Sequence, residues 1–248
     1  MNSRRIAIVT GASRGLGASI ATELAAAGLR VAVNYLHSKD AAERLCRQIQ
    51  NAGGDAAPFC ADVRTEAEVA ALVDAVRALW GDPDTVVLNA TGPQPLLTIE
   101  EQSWQFYLDQ LEFFVKSPLL LVQQVLPAMK QRGFGRIVQI GSEVMELGNA
   151  RFANYVAAKG AQLGQTRSWA NELAPFGITV NLVAPGWIPT ERHVDATQQE
   201  MDDYAARVPL RHMGQPEDVG RMVAFLCGDG AGFITGQKFA VNGGNTLL

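Results

Sequence analysis

The chain has 248 residues, 48% of them hydrophobic, and a formal net charge of −4 from 21 Lys and Arg against 25 Asp and Glu. That length suits one α/β domain, and a mildly acidic chain is poorly matched to nucleic acid or an anionic membrane as its main partner. No apolar run reaches membrane-spanning length, and Met1-Asn2-Ser3-Arg4-Arg5 leads straight into a strand rather than a signal sequence, so a cytoplasmic protein is expected.

The predicted elements alternate from end to end. Arg5 to Thr10 reads as a strand, and Gly15 to Ala27 as a helix closed by Gly28. Arg30 to Tyr35 is a second strand and Lys39 to Ala52 a second helix. Further strands are predicted at Asp55 to Ala61, Thr85 to Ala90, Arg136 to Gly141, Thr179 to Ala184 and Lys238 to Val241. Helices fit near 65–79, 103–131, 152–174 and 216–227. Such alternation implies right-handed crossovers and a parallel sheet: one Rossmann-like, doubly wound α/β domain over 1–248, with about seven strands and helices on both faces. The three cysteines, Cys46, Cys60 and Cys227, are scattered; they read as buried small hydrophobes, and no metal is expected.

Directly after the first strand comes Thr10-Gly11-Ala12-Ser13-Arg14-Gly15-Leu16-Gly17. Glycines let backbone approach a pyrophosphate, while the helix that follows presents free N–H groups and the positive end of its dipole. In a NAD-binding chain an acidic side chain at the end of the second strand accepts from the adenosine ribose. Here that segment is Val33-Asn34-Tyr35-Leu36-His37-Ser38, with no carboxylate until Asp40. Room is therefore left for a 2′-phosphate, with Arg14 and Ser38 to supply a guanidinium and a hydroxyl, and NADP(H) is favoured.

Tyr155 and Lys159 stand four apart on one face of a predicted helix. A phenol is a poor acid–base catalyst near neutral pH, and a fixed cation beside it favours the phenolate. Ser142 ends the fifth strand, where such sheets open onto their ligand crevice, and can hold a substrate oxygen.

With these motifs on the page, the whole chain resembles the short-chain dehydrogenase/reductase family, and in texture its 3-oxoacyl-[acyl-carrier-protein] reductases. Thr10-Gly11-x-x-x-Gly15-x-Gly17 is similar to the family's cofactor motif and Tyr155-x-x-x-Lys159 to its catalytic motif, with Ser142 thirteen residues before the tyrosine. The resemblance adds Asp62 and Val63 as adenine contacts, Asn89 and Ala90 beside the cofactor, and Pro185, Gly186, Ile188 and Thr190 at the nicotinamide and pyrophosphate. Tyr35 and His37 join Ser38 at the adenosine end. The implied activity is an NADPH-dependent ketoreductase: a hydride goes to a ketone, β-ketoacyl or polyketide-like, while Ser142 holds the oxygen, Tyr155 protonates it and Lys159 fixes ribose and phenol. Alcohol oxidation, enoyl reduction and epimerisation stay open within enzymes. The alternative class is an NADP-binding regulatory or scaffold protein with little turnover. A homo-oligomer, tetramer or dimer, is also implied, through the helices near 103–131 and 152–174; the face of Ala153, Ala157 and Ala161 suits either that contact or packing on the sheet.

Three departures from the family pattern stand out. The fourth strand ends Leu88-Asn89-Ala90-Thr91-Gly92 with one asparagine fewer, and Val241-Asn242-Gly243-Gly244 has Asn242 where many relatives carry Asp. The family's asparagine behind the lysine is missing: Phe114 takes its place on one alignment and Leu111 on the other. Trp104 to Lys116 is about three residues longer than the family pattern, so an irregular helix is predicted between Asp109 and Pro118, with freed carbonyls available to a water. Lys130 and Arg132 fit an acidic carrier protein or a solvated helix end equally, since Phe176 stands where the other basic residue belongs. Thr91 to Thr98 and Glu143 to Phe152 are expected to flank the nicotinamide, beneath a lid near 187–209. Met145, Phe152 and Trp187 read as pocket lining, and Glu143, Glu146 and Arg151 as exposed charges.

Overall fold

A computed structural model describes residues 4–247. Seven strands, all parallel, form one sheet in the order β3-β2-β1-β4-β5-β6-β7. These are β1 (Ile6–Val9), β2 (Arg30–Tyr35), β3 (Asp55–Cys60), β4 (Thr85–Leu88), β5 (Gly135–Ile140), β6 (Ile178–Pro185) and β7 (Lys238–Val241). The seven predicted strands are all present.

Side chains alternate across each strand, and both faces are dry at the central strands β1, β4, β5 and β6. Ala7 and Val9 of β1 point to one face, where they meet Ile20 and Leu24 of α1 (Gly15–Ala26), Leu45 and Ile49 of α2 (Lys39–Asn51) and Val223 of α9 (Pro216–Cys227). Ile6 and Ile8 point to the other, against Val69 and Leu72 of α3 (Glu66–Trp80), Leu121 and Val125 of α5 (Ser117–Arg132) and Leu173 of α7 (Ala153–Leu173). Burial on both faces explains why the central strands read as continuous apolar runs. Chain order reverses between β1 and β4, and the crevice at the carboxyl ends of these two strands is the usual ligand position in such a sheet.

The predicted helix over 103–131 is interrupted. α4 (Trp104–Leu111) runs into a π-turn (Glu112–Lys116) before α5 begins, and Ser117 N–H donates to Glu112 O five residues back. This is the irregularity expected between Asp109 and Pro118, and it takes the form of a bulge within the helix.

Cys46 and Cys227 are buried, their thiols pushed up to about 11 and about 12 by burial. Cys60 corrects the expectation, because β3 is an edge strand and leaves it exposed. Among the described residues no helix is long and apolar enough to cross a membrane.

Candidate active site

The glycine loop joins β1 to α1 and is braced from both neighbouring strands. Gly11 has φ +61°, and a Cβ there would stand 3.0 Å from Ala90 Cα; one on Gly17 would stand 2.4 Å from Gly11 O. Only glycine fits these contacts. Asn89 Nδ2 donates to Thr10 O at 2.8 Å and to Gly11 O at 3.1 Å, while Thr10 Oγ1 accepts from the N–H groups of Asn89 and Ala90. From β2, Asn34 Oδ1 accepts from Gly11 N–H at 3.1 Å and its Nδ2 donates to Ala61 O at 3.1 Å. Asn34 was not singled out from the sequence. Its residue type was visible, but a side chain facing the loop is a property of the sheet.

No side chain caps α1, so its first N–H groups have no side-chain partner; Ser13 and Gly15 are half-buried, and Leu16 packs on the core. Arg14 and His37 are exposed and Ser38 is half-buried, and no carboxylate stands between the end of β2 and Asp40. Tyr35, in contrast, packs its ring into the core. Val63 is also buried, and the carboxylate of Asp62 is already held by Arg64 at 3.0 and 2.7 Å, which keeps it below the usual carboxylate range.

Ser142 follows β5, and Tyr155 and Lys159 come from the first turns of α7. Tyr155 is buried, stacked on Phe152 at 4.7 Å and met edge-on by Phe114 at 5.4 Å. Burial raises its phenol above the ordinary value, opposed by hydrogen bonding to Ser142, the Arg192 charge and hydrogen bonding to Gln94. The expected downward pull from Lys159 is thus not what governs this phenol: desolvation wins, and the charge that opposes it is Arg192's. Lys159 Nζ donates to Ile140 O at 2.6 Å and to Gln162 Oε1 at 3.2 Å. Burial, then Arg192, drive its ammonium well below the ordinary lysine value.

Of the two candidates behind Lys159, Phe114 takes the place, its ring centroid 3.7 Å from Nζ; Leu111 packs on the rim of the same cluster. The bulge does free a carbonyl, but Val115 O accepts from Gln165 Nε2 at 3.2 Å rather than facing Lys159. An aromatic ring and the Gln162 amide stand behind the lysine.

Beyond β6, Gly186 is packed so closely that a Cβ would stand 2.5 Å from the Tyr204 hydroxyl. Ile188 is buried in the core, and Thr190 and Glu191 reach across to within 3.5–3.6 Å of the position a Cβ would take on Gly15. Arg192 donates to Gly92 O at 3.2 Å, so this segment spans the crevice from β6 to both the glycine loop and the loop after β4. Trp187 packs edge-on to Tyr204 of α8 (Gln198–Arg207) and to His193.

Glu143 corrects its expected exposure: it is 4% exposed, accepting from Tyr204, Asn242 and Asn245. Glu146 pairs with Lys238, and Arg151 remains exposed. At the far end of α5, Arg132 pairs with Asp84 at 3.3 Å and Lys130 lies 4.4 Å over the ring of Phe176. Ala153, Ala157 and Ala161 are exposed rather than packed on the sheet.

The arrangement offers a phenol that keeps its proton, a hydroxyl beside it and an ammonium one helical turn away, next to a crevice suited to a dinucleotide. The chain is similar to known proteins along nearly its whole length. The family profile described as enoyl-(acyl carrier protein) reductase matches residues 11–246. A 3-oxoacyl-[acyl-carrier-protein] reductase of Staphylococcus aureus is 40% identical over 247 residues, 98% of this chain and 99% of that protein. A variant of a Serratia marcescens short-chain dehydrogenase/reductase superposes with a TM-score of 0.91 at 33% identity, covering 99% of both chains. A blue fluorescent protein from a metagenomic library, solved in complex with NADPH, gives 0.90 at 34% identity and 99% of both chains.

Proposed function

The chain belongs to the short-chain dehydrogenase/reductase family, and we propose that it is an NADP(H)-dependent ketoreductase. The observation that carries this reading is the convergence of Ser142, hydrogen-bonded to Tyr155, with Lys159, whose Nζ lies 5.6 Å from the Tyr155 ring centroid. The cofactor fits the residues present: the Gly11 and Gly17 contacts leave a cradle that side chains would fill, and exposed Arg14 and half-buried Ser38 are the partners proposed for the 2′-phosphate of NADP(H). Asn89, Ala90, Pro185, Gly186, Ile188 and Thr190 complete the set proposed around it.

When bound, NADPH supplies the hydride. Ser142 holds the substrate oxygen and Tyr155 gives it a proton, a role suited to a phenol whose burial keeps it protonated. Lys159, fixed by Ile140 and Gln162, orients the cofactor ribose and the phenol. The substrate class is a small ketone or β-ketoacyl thioester. A carrier protein is less well served, because Arg132 is committed to Asp84. The open alanine face of α7 and exposed Trp104, Leu108 and Leu119 support a homo-oligomer, which light scattering tests.

One observation favours the second reading, a cofactor-binding protein with little turnover: the aromatic wall of Phe114 behind Lys159. Oxidation of NADPH against β-ketoacyl thioesters, quinones and cyclic ketones separates the two. Turnover on at least one class is expected, and binding of NADPH without turnover on any would select the second reading.

A further inference from the structure

Lys159 is 3% exposed, and a buried ammonium is costly unless its donors are satisfied. The titratable and charged groups that face it are Tyr155 on its own helix and Arg192 from the segment after β6, and neither is an anion at neutral pH. β5 contributes the Ile140 carbonyl and the π-turn contributes only the face of Phe114, an apolar ring that attracts a cation weakly. One side chain supplies an oxygen: Gln162, one turn along α7, whose Oε1 accepts from Nζ at 3.2 Å.

Gln162 is itself 1% exposed. An apolar residue of that size would fill the space without needing a polar partner, so a glutamine here calls for an explanation in its hydrogen bonds. Its backbone is braced as well: Thr166 Oγ1 donates to Gln162 O at 2.9 Å and accepts from Gln139 Nε2 of β5 at 3.0 Å. That row braces the helix turn that carries Gln162, while its side-chain carbonyl is turned to the lysine.

We propose that Gln162 is the positioning residue of Lys159, its side-chain carbonyl fixing Nζ where Phe114 offers only a ring. The role of Lys159 in turnover rests on the ketoreductase reading; the hold of Gln162 on Lys159 does not. Removing the carbonyl leaves the ammonium less satisfied and makes its proton easier to lose. A carboxylate in the same place does the opposite.

The experiment follows Lys159 directly. The chain has five lysines, so the Cε resonance of Lys159 can be assigned by substitution in lysine-labelled protein and followed with pH by NMR. Gln162→Met keeps the length and loses the carbonyl; Gln162→Glu keeps the length and adds a charge. The Lys159 midpoint is expected to fall by about one to two pH units in Gln162→Met, the size of a lost hydrogen bond to a charged group, and to rise in Gln162→Glu. The alkaline limb of kcat/KM for NADPH-dependent ketone reduction moves in the same directions, whereas a packing defect lowers activity at every pH alike. Unmoved midpoints in both variants, with native circular dichroism, overturn the proposal. Should Gln162→Met fail to fold, Gln162→Glu decides alone: a raised midpoint supports the assignment and an unmoved one rejects it. Turnover by none of the proteins would remove the ketoreductase reading, and the NMR midpoints would still decide the role of Gln162.

Discussion

The hydroxyl of Tyr204 donates to the carboxylate of Glu143 at 2.7 Å, which joins α8 to the residue directly after Ser142. The same hydroxyl accepts from Trp187 N–H at 2.8 Å, and the carboxylate also takes Asn242 and Asn245 at 3.1 Å. Burial, then the Glu143 contact, raise the Tyr204 phenol far above its ordinary value, so it stays a donor throughout the working range. One buried carboxylate thus fastens the segment spanning the crevice, and the end of the chain, to the loop that carries Ser142.

Tyr204→Phe should loosen that fastening without touching the reacting groups. Losing one partner of a buried charged hydrogen bond costs about 1.5–3 kcal/mol. Thermal unfolding is expected to shift down accordingly, and KM for the ketone to rise more than kcat falls. Unchanged stability with unchanged KM would show that the Tyr204–Glu143 contact is incidental.

Replacing Tyr155 by Phe removes the proposed acid and leaves the aromatic packing against Phe152 and Phe114 in place. Turnover is expected to fall by about 10²–10⁴, with NADPH affinity nearly intact in a fluorescence titration. A variant with kcat comparable to the parent would sink the mechanism.

Arg14 is exposed, and only NADPH carries the 2′-phosphate proposed to meet it. Arg14→Ala should weaken NADPH about ten- to a hundredfold and NADH little, the range of one charge-assisted hydrogen bond. Equal losses for both cofactors, measured by calorimetry, would place Arg14 elsewhere in the chemistry.

Asn34 links β2 to the glycine loop and to the end of β3 through one amide. Asn34→Ala strands the Gly11 N–H and the Ala61 carbonyl, at about 1–3 kcal/mol for each group left buried and unmet. Lower stability together with weaker binding of both NADPH and NADH is expected, since the loop rather than the 2′-phosphate contact is disturbed. A loss confined to NADPH would contradict this assignment.

What the amino-acid sequence determined by itself was local or counted along the chain. Alternation of Ile6, Ala7, Ile8 and Val9, all buried, marks a strand dry on both faces, and glycines at 11 and 17 mark a loop that must pass close to something. The spacing of Tyr155 and Lys159 follows from the helical repeat, and the surplus between Trp104 and Lys116 pointed to an irregular helix, which is present as the π-turn. Tertiary structure alone decided which polar side chains lost their water and to whom they then turned. Glu143 became buried because Tyr204 and Asn242, 61 and 99 residues away, close over it. Cys60 stayed exposed because its strand has a neighbour on one side only. Phe114 stands over the Lys159 ammonium because the π-turn carries its ring there, which leaves Gln162 as the side-chain oxygen on Nζ. Periodicity records which face of an element is apolar, whereas the pairing of a buried polar group depends on the element packed against that face, and folding supplies it.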